Sequence, residues 1–199
     1  MKDMRIKGKE TGKMKKRLIS MLMCMMLGVL LIGCSGGNDS DSKKEDGEEQ
    51  ESSEEQAIDK DFTLQMTDSY IFTDPQDIDF DERFVLVGDE NSKLLSDMGN
   101  MGYKASKMYD IVYVNGGSPV AEYQYFVTPD EASAADLAQF YTSQGQKITQ
   151  EGNVLYATVD GDTLEGSIIS LAGTGAISDE TPEAYIEMMK SFNGLVDYE

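Results

Sequence analysis

The chain has 199 residues with no histidine, no tryptophan and two cysteines, and its 17 Lys and Arg stand against 37 Asp and Glu for a formal net charge of −20. Without histidine there is no Ser-His-Asp or Cys-His nucleophilic site and no imidazole-rich zinc site, and neither a Gly-x-x-x-x-Gly-Lys loop nor a dinucleotide fingerprint is present. So acidic a surface repels nucleic acid and anionic lipid headgroups, which leaves carboxylate, hydroxyl and lysine chemistry, with cations, basic peptides and basic protein faces as partners.

At the N-terminal end, Lys13, Lys15, Lys16 and Arg17 precede an apolar run from Leu18 to Ile32 that closes on Gly33-Cys34. Basic stretch, apolar stretch and small residue are the parts of a secretory signal. The run is short of the roughly twenty residues that span a bilayer. Leu31-Ile32-Gly33-Cys34 resembles the lipobox of bacterial lipoproteins. That resemblance covers residues 14–34 only. It implies cleavage after Gly33, a diacylglycerol on the Cys34 sulfur, and a lipid-anchored protein on the extracytoplasmic face of the cell membrane. Acyl chains such as palmitate contribute about 0.8 kcal/mol per buried methylene, and one chain alone holds only marginally. An ordinary cleaved signal or an uncleaved span, with Cys34 a free thiol, is the alternative; Ser35-Gly36-Gly37 suits a cleaved terminus better. Cys24 would leave with the signal, so the mature chain carries no disulfide. Met14 is a second candidate start, because Met14-Lys15-Lys16-Arg17 already opens a signal and Lys9-Glu10 can be encoded by a ribosome-binding sequence.

Residues 1–33 hold eight of the 17 basic and two of the 37 acidic residues, so the remainder carries nine positive and thirty-five negative charges, or −26. The segment 34–60 is almost free of apolar side chains and reads as a disordered acidic spacer. A flexible chain of that length spans on the order of 30 Å. An acidic docking tail is the alternative.

Residues 61–199 read as a single α+β domain: a small antiparallel sheet of hairpins with two or three helices packed on one face. Phe62, Leu64 and Met66 alternate as in a strand. Asp74, Asp77, Asp79 and Asp81 then form the densest acidic stretch, a weak candidate for a calcium site, since a hard cation wants clustered oxygens. Placed on a strand, Asp77, Asp79 and Asp81 would share a solvated face while Ile78 and Phe80 point inward, which describes an edge strand more simply. Phe84 to Val87 is another strand, and Ser92 to Met98 a helical turn or two. Tyr109 to Val114 and Val120 to Val127 flank Asn115-Gly116-Gly117-Ser118, a hairpin signature. Tyr109, Tyr113, Tyr123 and Tyr125 on that hairpin form either a recognition face or the cover of a core edge.

Thr128-Pro129-Asp130-Glu131 predicts a helix capped by Thr128, carrying Leu137, Phe140 and Tyr141 to a stop at Gly145. Lys147 to Gln150, Val154 to Val159 and Ser167 to Leu171 read as strands, the last two joined by a loop from Asp160 to Gly166. In that loop Asp160-Gly161-Asp162 with Glu165 begins like an EF-hand, but Leu164 and Leu171 occupy ligand positions, so a polar turn is the simpler reading. Thr181-Pro182-Glu183 opens a second helix with Tyr185, Met188, Met189 and Phe192 on one stripe and Asn193-Gly194 as its stop.

No catalytic residue and no cofactor is assigned. Ser92-Lys93 and Ser106-Lys107 are adjacent pairs, without the Ser-x-x-Lys spacing. Paired carboxylates suit a glycosidase, but the chain lacks the tryptophan that stacks on sugars, and it is too short for a two-lobed solute receptor. The expected function is a membrane-anchored, non-enzymatic module for a protein or peptide partner. A small-ligand or calcium-binding accessory lipoprotein is the alternative, and a carboxylate hydrolase the third.

Overall fold

Residues 62–199 are the part of the chain that the computed structural model describes. The signal segment, Cys34 and the whole acidic spacer 34–60 therefore lie outside the described residues. In chain order the elements are β1 (Thr63–Gln65), β2 (Ile71–Thr73), β3 (Glu82–Asp89), α1 (Lys93–Asn100), β4 (Lys107–Asn115), β5 (Ser118–Val127), α2 (Glu131–Ser143), β6 (Thr149–Glu151), β7 (Val154–Asp160), α3 (Gly161–Gly173), α4 (Pro182–Asn193) and β8 (Val196–Asp197). Six strands make one antiparallel sheet in the order β6-β7-β5-β4-β3-β8, and β1 pairs with β2 in a separate hairpin. The architecture is α+β, with the long β4–β5 hairpin at its centre.

That hairpin turns on Gly116 and Gly117, whose φ angles of 58° and 77° are left-handed values that L side chains adopt at a cost. Its register decides what each face of the sheet receives. Tyr109 opposes Tyr125, Ile111 opposes Tyr123 and Tyr113 opposes Ala121 on one face; Met108 opposes Phe126, Asp110 opposes Gln124 and Val112 opposes Glu122 on the other. The first face is covered by the β1–β2 hairpin and the segment after it. Phe72 packs 5.5 Å from the Tyr125 ring and Phe80 packs 4.7 Å from that of Tyr113. The second face lies under the helices, where Phe126 stacks on Tyr141 of α2 at 5.6 Å. Both faces are thus buried, so β4 shows buried residues in succession instead of alternating with solvent.

Among the described residues there are four helices, where two or three were expected. The additional one is α3, which replaces the loop and strand expected over Asp160 to Leu171. Asp160 caps it, its carboxylate accepting from the Thr163 backbone N–H at 3.0 Å and the Thr163 hydroxyl at 2.9 Å. Gly161 lets the helix begin against β5, since a Cβ there would lie 2.6 Å from the Pro119 carbonyl oxygen. Leu164 and Ile168 are buried on one stripe of α3.

Helix α2 begins at Glu131, and its cap is Asp130, which accepts from the Ser133 N–H at 2.7 Å. Thr128, expected as the cap, instead donates its hydroxyl to the carbonyls of Asp130 and Asn153. It thereby ties the end of β5 to the β6–β7 turn. Helix α4 follows its sequence signals: Thr181 caps it, Pro182 opens it, and Gly194 ends it at a φ of 68°. The acidic stretch 74–81 is irregular rather than an edge strand, although Ile78 is half-buried and Phe80 buried while Asp77, Asp79 and Asp81 face solvent.

Candidate functional site

Two acids interrupt the apolar face that β4 and β5 turn toward the helices. Asp110 and Glu122 both have no solvent exposure. They sit diagonally across the strand pair, because Asp110 opposes Gln124 two residues along, a separation that long side chains bridge. The Tyr185 hydroxyl of α4 donates to Glu122 Oε1 at 2.8 Å, and Gln124 Nε2 donates to the same oxygen at 3.0 Å. Among the described residues, Glu122 Oε2 and both Asp110 oxygens are buried with no hydrogen-bond donor.

Burying unpaired carboxylates costs several kcal/mol each, so such groups hold protons instead. Burial, and then the Glu122 charge, push the Asp110 carboxyl well above the ordinary carboxylate range. Burial also raises Glu122, while hydrogen bonds from Tyr185, Asp110 and Gln124 pull it back. Both directions favour the protonated form, so the pair carries less charge than two ordinary carboxylates. Tyr185 is held well above an ordinary phenol by burial and by the neighbouring Glu122. These are facing acids, as a carboxylate hydrolase needs, but they are sealed from any substrate.

The acids singled out in the sequence are placed differently. Asp74 is buried, paired with the Arg83 guanidinium and accepting the Tyr113 hydroxyl at 2.7 Å. Arg83 in turn lies 3.9 Å over the Phe62 ring. Asp81 accepts the Gly116 N–H at 2.8 Å, and the Asp79 carbonyl accepts from the Asn115 side-chain amide at 3.3 Å. The stretch therefore fastens the tip of the β4–β5 hairpin. Asp74, Asp77, Asp79 and Asp81 are not brought to one point, and no group of three or more Asp or Glu is gathered around a metal-sized space among the described residues. Asp160 is spent on capping α3, with Asp162 and Glu165 exposed along that helix. Tyr109, Tyr113 and Tyr125 are buried and Tyr123 is half-buried, so the hairpin tyrosines cover the core and do not form a recognition face. Ser92 caps α1 and Ser106 donates to the Val127 carbonyl.

An open groove of about 530 Å³ runs between α4 and the loop that leads into it. Ile177 and Met188 form its nearly buried floor. Asp179, Glu183 and Glu187 stand exposed on its rim. Lys190 Nζ reaches Glu187 at 3.0 Å and Asp197 at 2.9 Å. The acidic field extends to the start of β3, where burial, then Glu183 and Asp81, raise the Glu82 carboxyl above its ordinary value. Neither the groove nor the buried pair was anticipated. A glutamate every third or fourth position before Met188 was the available signal for the first. The second was marked by Asp110 and Glu122 within otherwise apolar strands.

Among the described residues no helix is long and apolar enough to cross a membrane. Compared with protein-family models, with curated proteins and with solved structures, the chain matches none.

Proposed function

We propose that this is an extracytoplasmic lipoprotein, tethered through Cys34, whose folded part is a non-enzymatic module for a basic, amphipathic peptide segment of a partner protein. The observation that carries this reading is the groove along α4, which joins an apolar floor of Ile177 and Met188 to a carboxylate rim of Asp179, Glu183 and Glu187. Rim charges of one sign steer an oppositely charged segment and set its register, and apolar side chains seated on the floor supply the adhesion. The described residues carry six Lys and Arg against 24 Asp and Glu, so an acidic partner meets net repulsion. The pair of acids best suited to hydrolysis is sealed beneath the helices, which favours binding over turnover. The lipobox-like segment and acidic spacer support presentation at a membrane surface, with the spacer's charge holding the module off anionic headgroups.

The test is binding of a fluorescent Lys/Leu amphipathic helix peptide to the full chain in detergent, against a Glu/Leu peptide of the same pattern. The basic peptide binds, the acidic one does not, and the double substitution Glu183→Lys with Glu187→Lys weakens binding at least tenfold. Equal binding by the substituted protein, or cleavage of the peptide, overturns the reading. For the tether, labelled fatty acid is incorporated by the producing cell into the wild-type protein and not into Cys34→Ser.

A further inference from the structure

The carboxyl pair on the helix face has no cation to neutralise it. Of the six basic side chains among the described residues, Arg83 is paired with Asp74 under the other face, Lys93 with Asp97 and Lys190 with Glu187 and Asp197. Lys104, Lys107 and Lys147 are exposed. Around the pair, β3 contributes Leu86 beside Asp110, while β7 contributes Ala157 opposite Gln124 and Val159 opposite Glu122. On α3, the buried Ser167 hydroxyl is spent on the Thr163 carbonyl, and Asp162 and Glu165 face solvent. The acids of α2, Glu131 and Asp136, are exposed, as are those of α4 other than its contact through Tyr185. Three buried carboxyl oxygens are therefore left for one proton to satisfy.

The two acids and their partner differ in how freely they can move. Asp110 and Glu122 belong to the central strands of a six-stranded sheet, held by neighbours on both sides. Tyr185 belongs to α4, which enters from an exposed loop over 174–181 and leaves at Gly194. If the site gains a second negative charge, separating the strands breaks ladder hydrogen bonds to neighbours on both sides, whereas lifting the helix breaks one hydrogen bond to the pair and uncovers an apolar stripe.

We propose that Asp110 and Glu122 share a proton that acts as a pH-operated latch, holding α4 on the sheet through Tyr185 and releasing it when the proton is lost. The sign follows from linkage. Both carboxyls titrate higher in the folded protein than in the unfolded chain. Their stabilisation is therefore complete below the unfolded values near 4 and is lost as pH rises through the folded ones. One retained proton changes the folding equilibrium tenfold per pH unit. Because Glu183, Glu187 and Met188 ride on the same helix, release also opens one wall of the groove; that clause alone rests on the peptide-binding reading.

The experiment compares the full chain in detergent with Asp110→Asn and Glu122→Gln, from pH 4 to 9 in about 0.3 M salt, which screens surface repulsion and leaves the buried pair untouched. Each variant differs from the wild type at one buried carboxyl, so the difference in slope above pH 6 belongs to the pair. The wild type loses stability there by up to tenfold in equilibrium constant per pH unit. Asp110→Asn, whose amide donates to Glu122 at every pH, has a flat profile and a higher unfolding midpoint at pH 9. Glu122→Gln keeps an oxygen for Tyr185 and serves where Asp110→Asn does not fold. Hydrogen exchange, corrected for intrinsic rate, shows α4 losing protection with rising pH in the wild type and not in Asp110→Asn. Equal slopes in wild type and variants overturn the shared proton, and loosening at β4 and β5 instead of α4 overturns the latch. Calcium that restores the wild type at pH 8 without affecting Asp110→Asn replaces the proton by a cation. No peptide is needed for any of these readings, so they stand or fall apart from the groove.

Discussion

The two faces of the central sheet solve one problem in two ways. Under the β1–β2 hairpin, buried Asp74 is met by the Arg83 guanidinium and the Tyr113 hydroxyl. Under the helices, buried Asp110 and Glu122 are met by a phenol, an amide and a proton. An arginine keeps its charge at any pH that leaves the protein folded, so the hairpin face has a permanent cation. A proton is exchanged with solvent, so the helix face answers to acidity. The difference lies in which charged partner the neighbouring strand supplies: β3 offers Arg83 on one face and Leu86 on the other.

The sharpest way to break the contrast is to remove the permanent cation. Arg83→Met leaves Asp74 buried with only Tyr113, and loss of one partner of a buried pair costs about 3–5 kcal/mol; urea unfolding reads it. Tyr185→Phe removes the donor through which α4 is held to Glu122 and costs about 1.5–3 kcal/mol at pH 5, where the latch is closed, and less at pH 8, where it is already released; thermal melts at the two values show the difference. Thr181→Ala removes the cap of α4, whose hydroxyl accepts the Ala184 N–H, at about 1 kcal/mol. It weakens the helix without touching the buried acids, so its cost is the same at pH 5 and pH 8. Asp77→Asn, at an exposed position of the acidic stretch, stays within about 0.5 kcal/mol by the same melts.

Local rules made α4 and the β4–β5 hairpin legible in the sequence. Thr181, Pro182 and Gly194 each act within a turn of where they stand, and Gly116-Gly117 demands its own backbone angles. Helix α3 was not legible, because Ser167 to Leu171 reads as a strand and the glycine-containing stretch from Asp160 to Gly166 as the loop before it. Its helicity depends on the Asp160 cap and on a fit against Pro119 that only the assembled sheet provides. The same cause hid the buried pair. An acid within an alternating strand reads as the solvated side, and only the four helices turn that side into core. Conversely, Asp74 looked like one ligand among four because nothing local announces that Arg83, nine residues on, would claim it.

The six-stranded sheet ends on both sides in very short strands, Thr149–Glu151 at one margin and Val196–Asp197 at the other. Each outer strand also carries an acid, Glu151 and Asp197. A foreign strand needs a run of unpaired amides to template against, and short charged margins offer it little. Beyond those margins β3 before Leu86 and β7 after Tyr156 have no partner strand on their outer side among the described residues, so crowded molecules meet one another at brief stretches that end in the acids Glu82 and Asp160 and not along a full-length edge.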